Sequence, residues 1–142
     1  MRVLGYDPGG STRGGNGVAF IDFDDHGQFE YRAETVRTPS LALGWLRDNA
    51  AGAVGFGVDT LLQWDMADRE CDYFLRRKYK ISSGTVQTLG SLRGAMIGYG
   101  VMVARALQPV ALFEANPKAA LKAGKLREFE VLINEVESRH GQ

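Results

Sequence analysis

Three acidic residues each close an apolar run. Asp7 ends Arg2-Val3-Leu4-Gly5-Tyr6-Asp7, Asp59 ends Ala53-Val54-Gly55-Phe56-Gly57-Val58-Asp59, and Glu114 ends Val110-Ala111-Leu112-Phe113-Glu114. As neighbouring strands, these runs would bring three carboxylates to one edge of one sheet. Converging carboxylates repel, and a cation relieves the repulsion. Hard oxygen donors on a sheet edge suit Mg²⁺, which water and substrate phosphate usually complete. Each acid alone has a plainer reading, as a cap for the next helix or an acceptor for loop amides. Burying several uncompensated carboxylates is costly, so three at the same end of apolar runs favour a shared site.

The segment after Asp7, Pro8-Gly9-Gly10-Ser11-Thr12-Arg13-Gly14-Gly15-Asn16-Gly17, is too rich in glycine for regular structure. Glycines let backbone N–H groups approach an anion, and Ser11 and Thr12 add hydroxyl donors for a substrate phosphate. The segment resembles the first phosphate loop of sugar kinases and actin-like ATPases. That resemblance implies an alternative function, a nucleotide-binding phosphohydrolase, although the actin-like proteins use two such domains around the nucleotide. No Gly-Lys-Ser/Thr follows, which excludes a Walker loop. The next element reads as a strand, which excludes a Rossmann fingerprint. The segment also fits a plain hairpin connection with Asn16-Gly17 as its turn.

The elements that must position these residues are legible from periodicity and punctuation. Strands are expected over Arg2–Asp7, Val18–Phe23 and Phe29–Val36, with Asp24-Asp25-His26-Gly27 as a turn. Thr38-Pro39 reads as an N-cap with proline at the first helical position, opening a helix to about Ala50. The Asp59 strand follows, apolar along its length as a strand covered on both faces should be. A helix is expected from Met66 to about Tyr79 with Cys71, Phe74 and Leu75 inward, then a polar loop to Thr88. Another helix runs from about Ser91 to Leu107 and stops before Pro109. After the Glu114 strand, Asn116-Pro117 opens a short helix through Leu121, which Gly124 breaks. A last helix, Lys125 to about Ser138, places Leu126, Phe129, Leu132, Ile133 and Val136 at helical spacing. The order predicts an α/β fold with a mixed five-stranded sheet, three antiparallel strands then two parallel, and helices on both faces. Right-handed crossovers place the Asp59 strand beside the Asp7 strand, with the Glu114 strand outside it.

Gly5-Tyr6-Asp7-Pro8-Gly9-Gly10, Gly57-Val58-Asp59-Thr60, Arg69-Glu70-Cys71-Asp72 with Leu75-Arg76, and Glu114-Ala115-Asn116-Pro117 occur in that order between residue 3 and about residue 121. In order and spacing they resemble the ribonuclease H-like superfamily. Within it the chain is most similar to a family of nucleases predicted from sequence, domain-of-unknown-function family 429. The resemblance implies divalent-metal-dependent hydrolysis of phosphodiester bonds in DNA or RNA, with Mg²⁺ or Mn²⁺ as cofactor. It makes Asp7, Asp59 and Glu114 the catalytic metal ligands, with Asp7 bridging, and Arg69 a contact to the scissile phosphate. Two ions roughly 3.5–4 Å apart would stabilise both the attacking and the leaving oxygen.

The chain also departs from that pattern. Leu61 and Gln63 stand where the family usually has proline and glycine. The family's acidic C-terminal helix is not evident in the one domain expected over residues 1–142; Glu128 and Glu137 flank the apolar stripe of the last helix and are the candidates for a fourth ligand. This departure supports a second alternative, a catalytically reduced domain that acts as a protein- or nucleic-acid-binding module in an assembly.

Bulk composition narrows the remaining choices. With 17 basic and 17 acidic residues the formal net charge is zero, so nucleic-acid contact must come from a local patch. One cysteine, Cys71, excludes an intrachain disulfide and a cysteine-rich zinc site. No apolar stretch is long enough for a bilayer, and no signal peptide is evident, so a soluble cytoplasmic protein is expected. Arg76-Arg77-Lys78-Tyr79-Lys80 reads first as a helix end that complements the helix dipole, and second as a phosphate contact. Arg69 has a plainer reading too, as an ion-pair partner of Asp65 or Asp72. Gly94 and Gly98 suit close helix packing, and the apolar face beside them is a candidate homodimer contact. Trp45 and Trp64 read as core anchors, and His26 and His140 as exposed residues rather than bases.

Overall fold

The computed structural model describes residues 1–9, 15–62, 69–81 and 94–124. Their order is β1 (Arg2–Asp7), β2 (Asn16–Phe23), β3 (Phe29–Val36), α1 (Pro39–Asp48), β4 (Ala53–Val58), α2 (Glu70–Tyr79), α3 (Gly94–Ala106), β5 (Leu112–Glu114) and α4 (Pro117–Gly124). The strands form one mixed sheet in the order β3-β2-β1-β4-β5. β1 pairs antiparallel with β2 and parallel with β4, and β5 pairs parallel with β4. This is the α/β architecture and strand order expected from the sequence.

Local chemistry accounts for the hairpin and the first helix. Asp24 Oδ1 accepts the backbone N–H groups of His26 and Gln28 at 2.8 Å, and Gly27 supplies the positive φ of 77° that closes the β2–β3 turn. Thr38 caps α1 through its hydroxyl, which accepts from Leu41 N at 3.2 Å, with Pro39 next. Asn16 and Gly17 are not a turn: they begin β2, opposite Val36 and Thr35 of β3. The buried Tyr6 hydroxyl donates to Asn16 Oδ1 at 2.7 Å, which gives the asparagine a place in the sheet. Gly9 and Gly15 approach closely, since a Cβ on Gly9 would overlap the carbonyl of Gly15.

One face of the sheet builds the core. Leu4, Tyr6, Val18, Phe56 and Val58 pack against Ala42 and Leu46 of α1 and against Val103 and Ala104 of α3. Phe20 stacks on Trp45 with ring centroids 5.9 Å apart, so Trp45 is an anchor as expected. The other face carries Gly5, Ala19, Ala33 and Gly57 in one registered row and adds nothing to that core. The element order predicts helices on both faces, yet among the described residues α1 and α3 share one face. The strand order explains this. The crossovers β3→β4 and β4→β5 step in the same direction across the sheet, and right-handed connections in one direction land on one side. The expected helix from Lys125 to Ser138 lies outside the described residues.

Two helices sit differently from their periodicity. In α2 the inward residues are Asp72, Leu75, Arg76 and Tyr79, whereas Cys71 and Phe74 are exposed. Leu75 and Tyr79 meet Ile81 and Ala119, which joins α2 to α4. In α3 the tight approach falls at Gly100, where a Cβ would collide with Thr60, while Gly98 faces open space. Thr60 also donates to the Met96 carbonyl at 3.4 Å. Among the described residues no helix is long and apolar enough to cross a membrane.

Candidate functional site

β1 and β4 are central parallel neighbours, and each is followed by the chemistry its apolar run delivers. Tyr6 is registered with Val58, and Asp59 N donates to the Tyr6 carbonyl at 3.0 Å. Asp7 and Asp59 therefore leave the same end of adjacent strands on the same side. Both line one open pocket of about 510 Å³, whose floor includes Gly5, Ala19 and Gly57. The small residues make the hollow: larger side chains in that row would fill it. Asp7 faces Gly17 of β2, where an added Cβ would press on the Asp7 Cβ at 3.3 Å.

Glu114 is placed otherwise. Its register partner is Val58, one residue before Asp59. Strand side chains alternate between faces, so Glu114 shares the side of Val58 and Tyr6, opposite to Asp7 and Asp59. The residue equivalent to Asp59 on β5 is Ala115, whose N donates to the Val58 carbonyl at 2.8 Å and which lines the pocket. The sequence brings three acids to one sheet end, but only two of them to one pocket. Their positions in the apolar runs hid the difference, because β5 ends its ladder one residue earlier in register than the aspartates.

Glu114 is engaged by Arg69 instead. Arg69 Nη1 donates to Glu114 Oε2 at 2.8 Å and Nη2 to Oε1 at 2.5 Å, while Leu62 N donates to Oε2 at 3.0 Å. Arg69 also holds Asp72, through Nε to Oδ2 at 2.9 Å and Nη2 to Oδ1 at 2.8 Å. Asp72 reaches back to the Arg69 backbone N–H at 3.2 Å, closing the first turn of α2. The two carboxylates raise the Arg69 pKa, with Glu114 the larger influence. Hydrogen bonds from Arg69 hold the Asp72 carboxyl below the usual aspartate range, against the upward push of burial. The spacing Arg69-x-x-Asp72 signalled this pair; nothing local signalled Glu114 as its third member.

Tyr6, beneath the pocket, has its phenol pushed up to about 12, first by burial and then by the negative charge of Asp7. Ser11, Thr12 and Trp64 lie outside the described residues, as do Asp65, Glu128 and Glu137. Among the described residues no three of His, Cys, Asp and Glu stand close enough together to hold a metal. A pair of carboxylates nevertheless fits a magnesium-type ion, which binds through one or two carboxylates and completes its shell with water and phosphate oxygens. The chain matches no family model, no curated protein and no solved structure with which it was compared.

Proposed function

We propose that this chain is a ribonuclease H-like nuclease that hydrolyses phosphodiester bonds of DNA or RNA with Mg²⁺ or Mn²⁺. The observation that carries this reading is the pairing of Asp7 and Asp59, from adjacent parallel strand ends, in one open pocket. Open α/β sheets bind ligands outside the carboxyl ends of their strands. Asp7 and Asp59 would hold the ion, which supplies charge neutralisation at phosphate oxygens. The bare row of Gly5, Ala19 and Gly57 leaves room for the sugar-phosphate chain beside them. Glu114, registered with Val58 and held by Arg69, stands outside the pair.

The test is incubation of the protein with labelled single-stranded, duplex, hybrid and branched nucleic acids, in Mn²⁺ and in EDTA, beside Asp7→Asn. Cleavage in Mn²⁺ that is lost in EDTA and in Asp7→Asn is the expected result. Calorimetry with Mn²⁺ reads the site separately, and Asp7→Asn should lose the binding heat. A second reading, a catalytically reduced binding module, is favoured by Arg69's hold on Glu114. Binding of nucleic acid with no cleavage in any metal selects it.

A further inference from the structure

The outward face of α2 carries a combination that the proposed site does not use. Tyr73 is 54% exposed and Phe74 56%, although helix periodicity predicts Phe74 inward. The inward face is fixed by the buried Asp72 on Arg69 and by Leu75 against the α4 cluster, which turns both rings to solvent. Arg77 and Lys78 follow one turn later on the same face, both exposed. Lys78 Nζ lies 5.0 Å from the Phe74 ring centroid and 5.5 Å from that of Tyr79. The chain as a whole has no net charge, so this cluster is a local feature rather than a background.

A cationic helix end alone complements the helix dipole. That reading leaves the two aromatic rings without a reason to be in water. Rings interleaved with cations are what a single-stranded polynucleotide recognises: bases stack on the rings, and phosphates meet the charges. Duplex bases are already stacked and offer no free face. The helix also starts at the right place, since Arg69 at its head contacts Glu114 at the strand end bearing the acids.

We infer that Tyr73, Phe74, Arg77 and Lys78 form a docking surface for single-stranded nucleic acid, with bases on the rings and the backbone along Arg77 and Lys78. The inference names the form of substrate for the pocket above and rests on the nucleic-acid reading for its role. Its test is independent of cleavage. Fluorescence anisotropy in EDTA, with labelled oligothymidylate, oligouridylate and a duplex of equal length, measures binding directly.

The expected result is preference for single strands over duplex, with Phe74→Ala and Tyr73→Ala each weakening binding roughly tenfold. The double variant Arg77→Glu, Lys78→Glu should flatten the slope of log affinity against log salt by about 0.7 for each phosphate left without its cation. Phe74→Trp should retain binding. All these docking positions are exposed, and circular dichroism verifies that the variants keep their fold. Absence of single-strand binding, equal affinity for duplex, or unchanged affinity in Phe74→Ala and Tyr73→Ala overturns the inference. The last outcome would assign the rings to a protein partner. Binding that follows these variants with no cleavage in any metal leaves the docking surface standing and removes the nuclease.

Discussion

Arg69 and Glu114 meet side by side, with two nitrogens of the guanidinium on two oxygens of the carboxylate at 2.8 and 2.5 Å. One residue begins α2 and the other ends β5, 45 positions later. The pair ties the helix to the sheet at the end where Asp7 and Asp59 emerge, on the opposite side of the sheet from their pocket. With Asp72 it forms a three-membered network in which the Arg69 side chain is only 13% exposed.

Charge-assisted bonds of this kind contribute about 1.5–3 kcal/mol each. Arg69→Leu should therefore destabilise the fold by about 2 kcal/mol, read as a lower urea midpoint. Arg69→Lys should recover only part of the loss, because an ammonium cannot reproduce the paired geometry. A double-mutant cycle with Glu114→Gln measures the coupling; additivity of the two single variants would show that the pair contributes nothing.

Asp72 gives the network a pH signature. Its folded pKa lies below its unfolded one, chiefly through the hydrogen bonds from Arg69. The stabilisation is complete above the unfolded aspartate range, near pH 4, and disappears as pH falls through the folded value. The parent should exceed Asp72→Asn in stability at neutral pH, and the gap should shrink below about pH 4. A gap that persists unchanged in acid would contradict the assignment.

Tyr6 reports on the pocket from below. Its phenol is raised to about 12, so the folded state keeps it neutral where the unfolded chain would ionise. The associated stabilisation is present below about pH 10 and is lost as pH rises toward the folded value. Titration of phenolate absorbance should show one late tyrosine that is missing in Tyr6→Phe. Asp7→Asn should shift that tyrosine downward, because the charge of Asp7 is part of the cause.

Two glycines in α3 should respond to alanine with opposite sign. Gly98 faces open space, so Gly98→Ala should stabilise by about 1 kcal/mol through helix propensity. At Gly100 the new methyl would collide with Thr60, beside Asp59. Overpacking costs about 1–3 kcal/mol, which outweighs the propensity gain. Denaturant melts of the two variants decide the sign directly.

Much of this arrangement is written locally in the chain. Apolar runs ending in Asp7 and Asp59, the Asp24 turn and the Thr38-Pro39 cap fix strands and helix starts through neighbouring residues alone. The strand order follows as well, because short turns and right-handed crossovers leave few alternatives. What the tertiary structure decided is which side each group faces. Glu114 looks equivalent to the aspartates in sequence, yet inter-strand register places it one residue short and alternation sends it to Arg69. Phe74 looks inward by spacing, yet the Arg69–Asp72 pair sets the rotation of α2 and leaves the ring in water. Register and helix rotation arise from partners 45 or more positions away or from a buried ion pair, and periodicity along one segment carries neither.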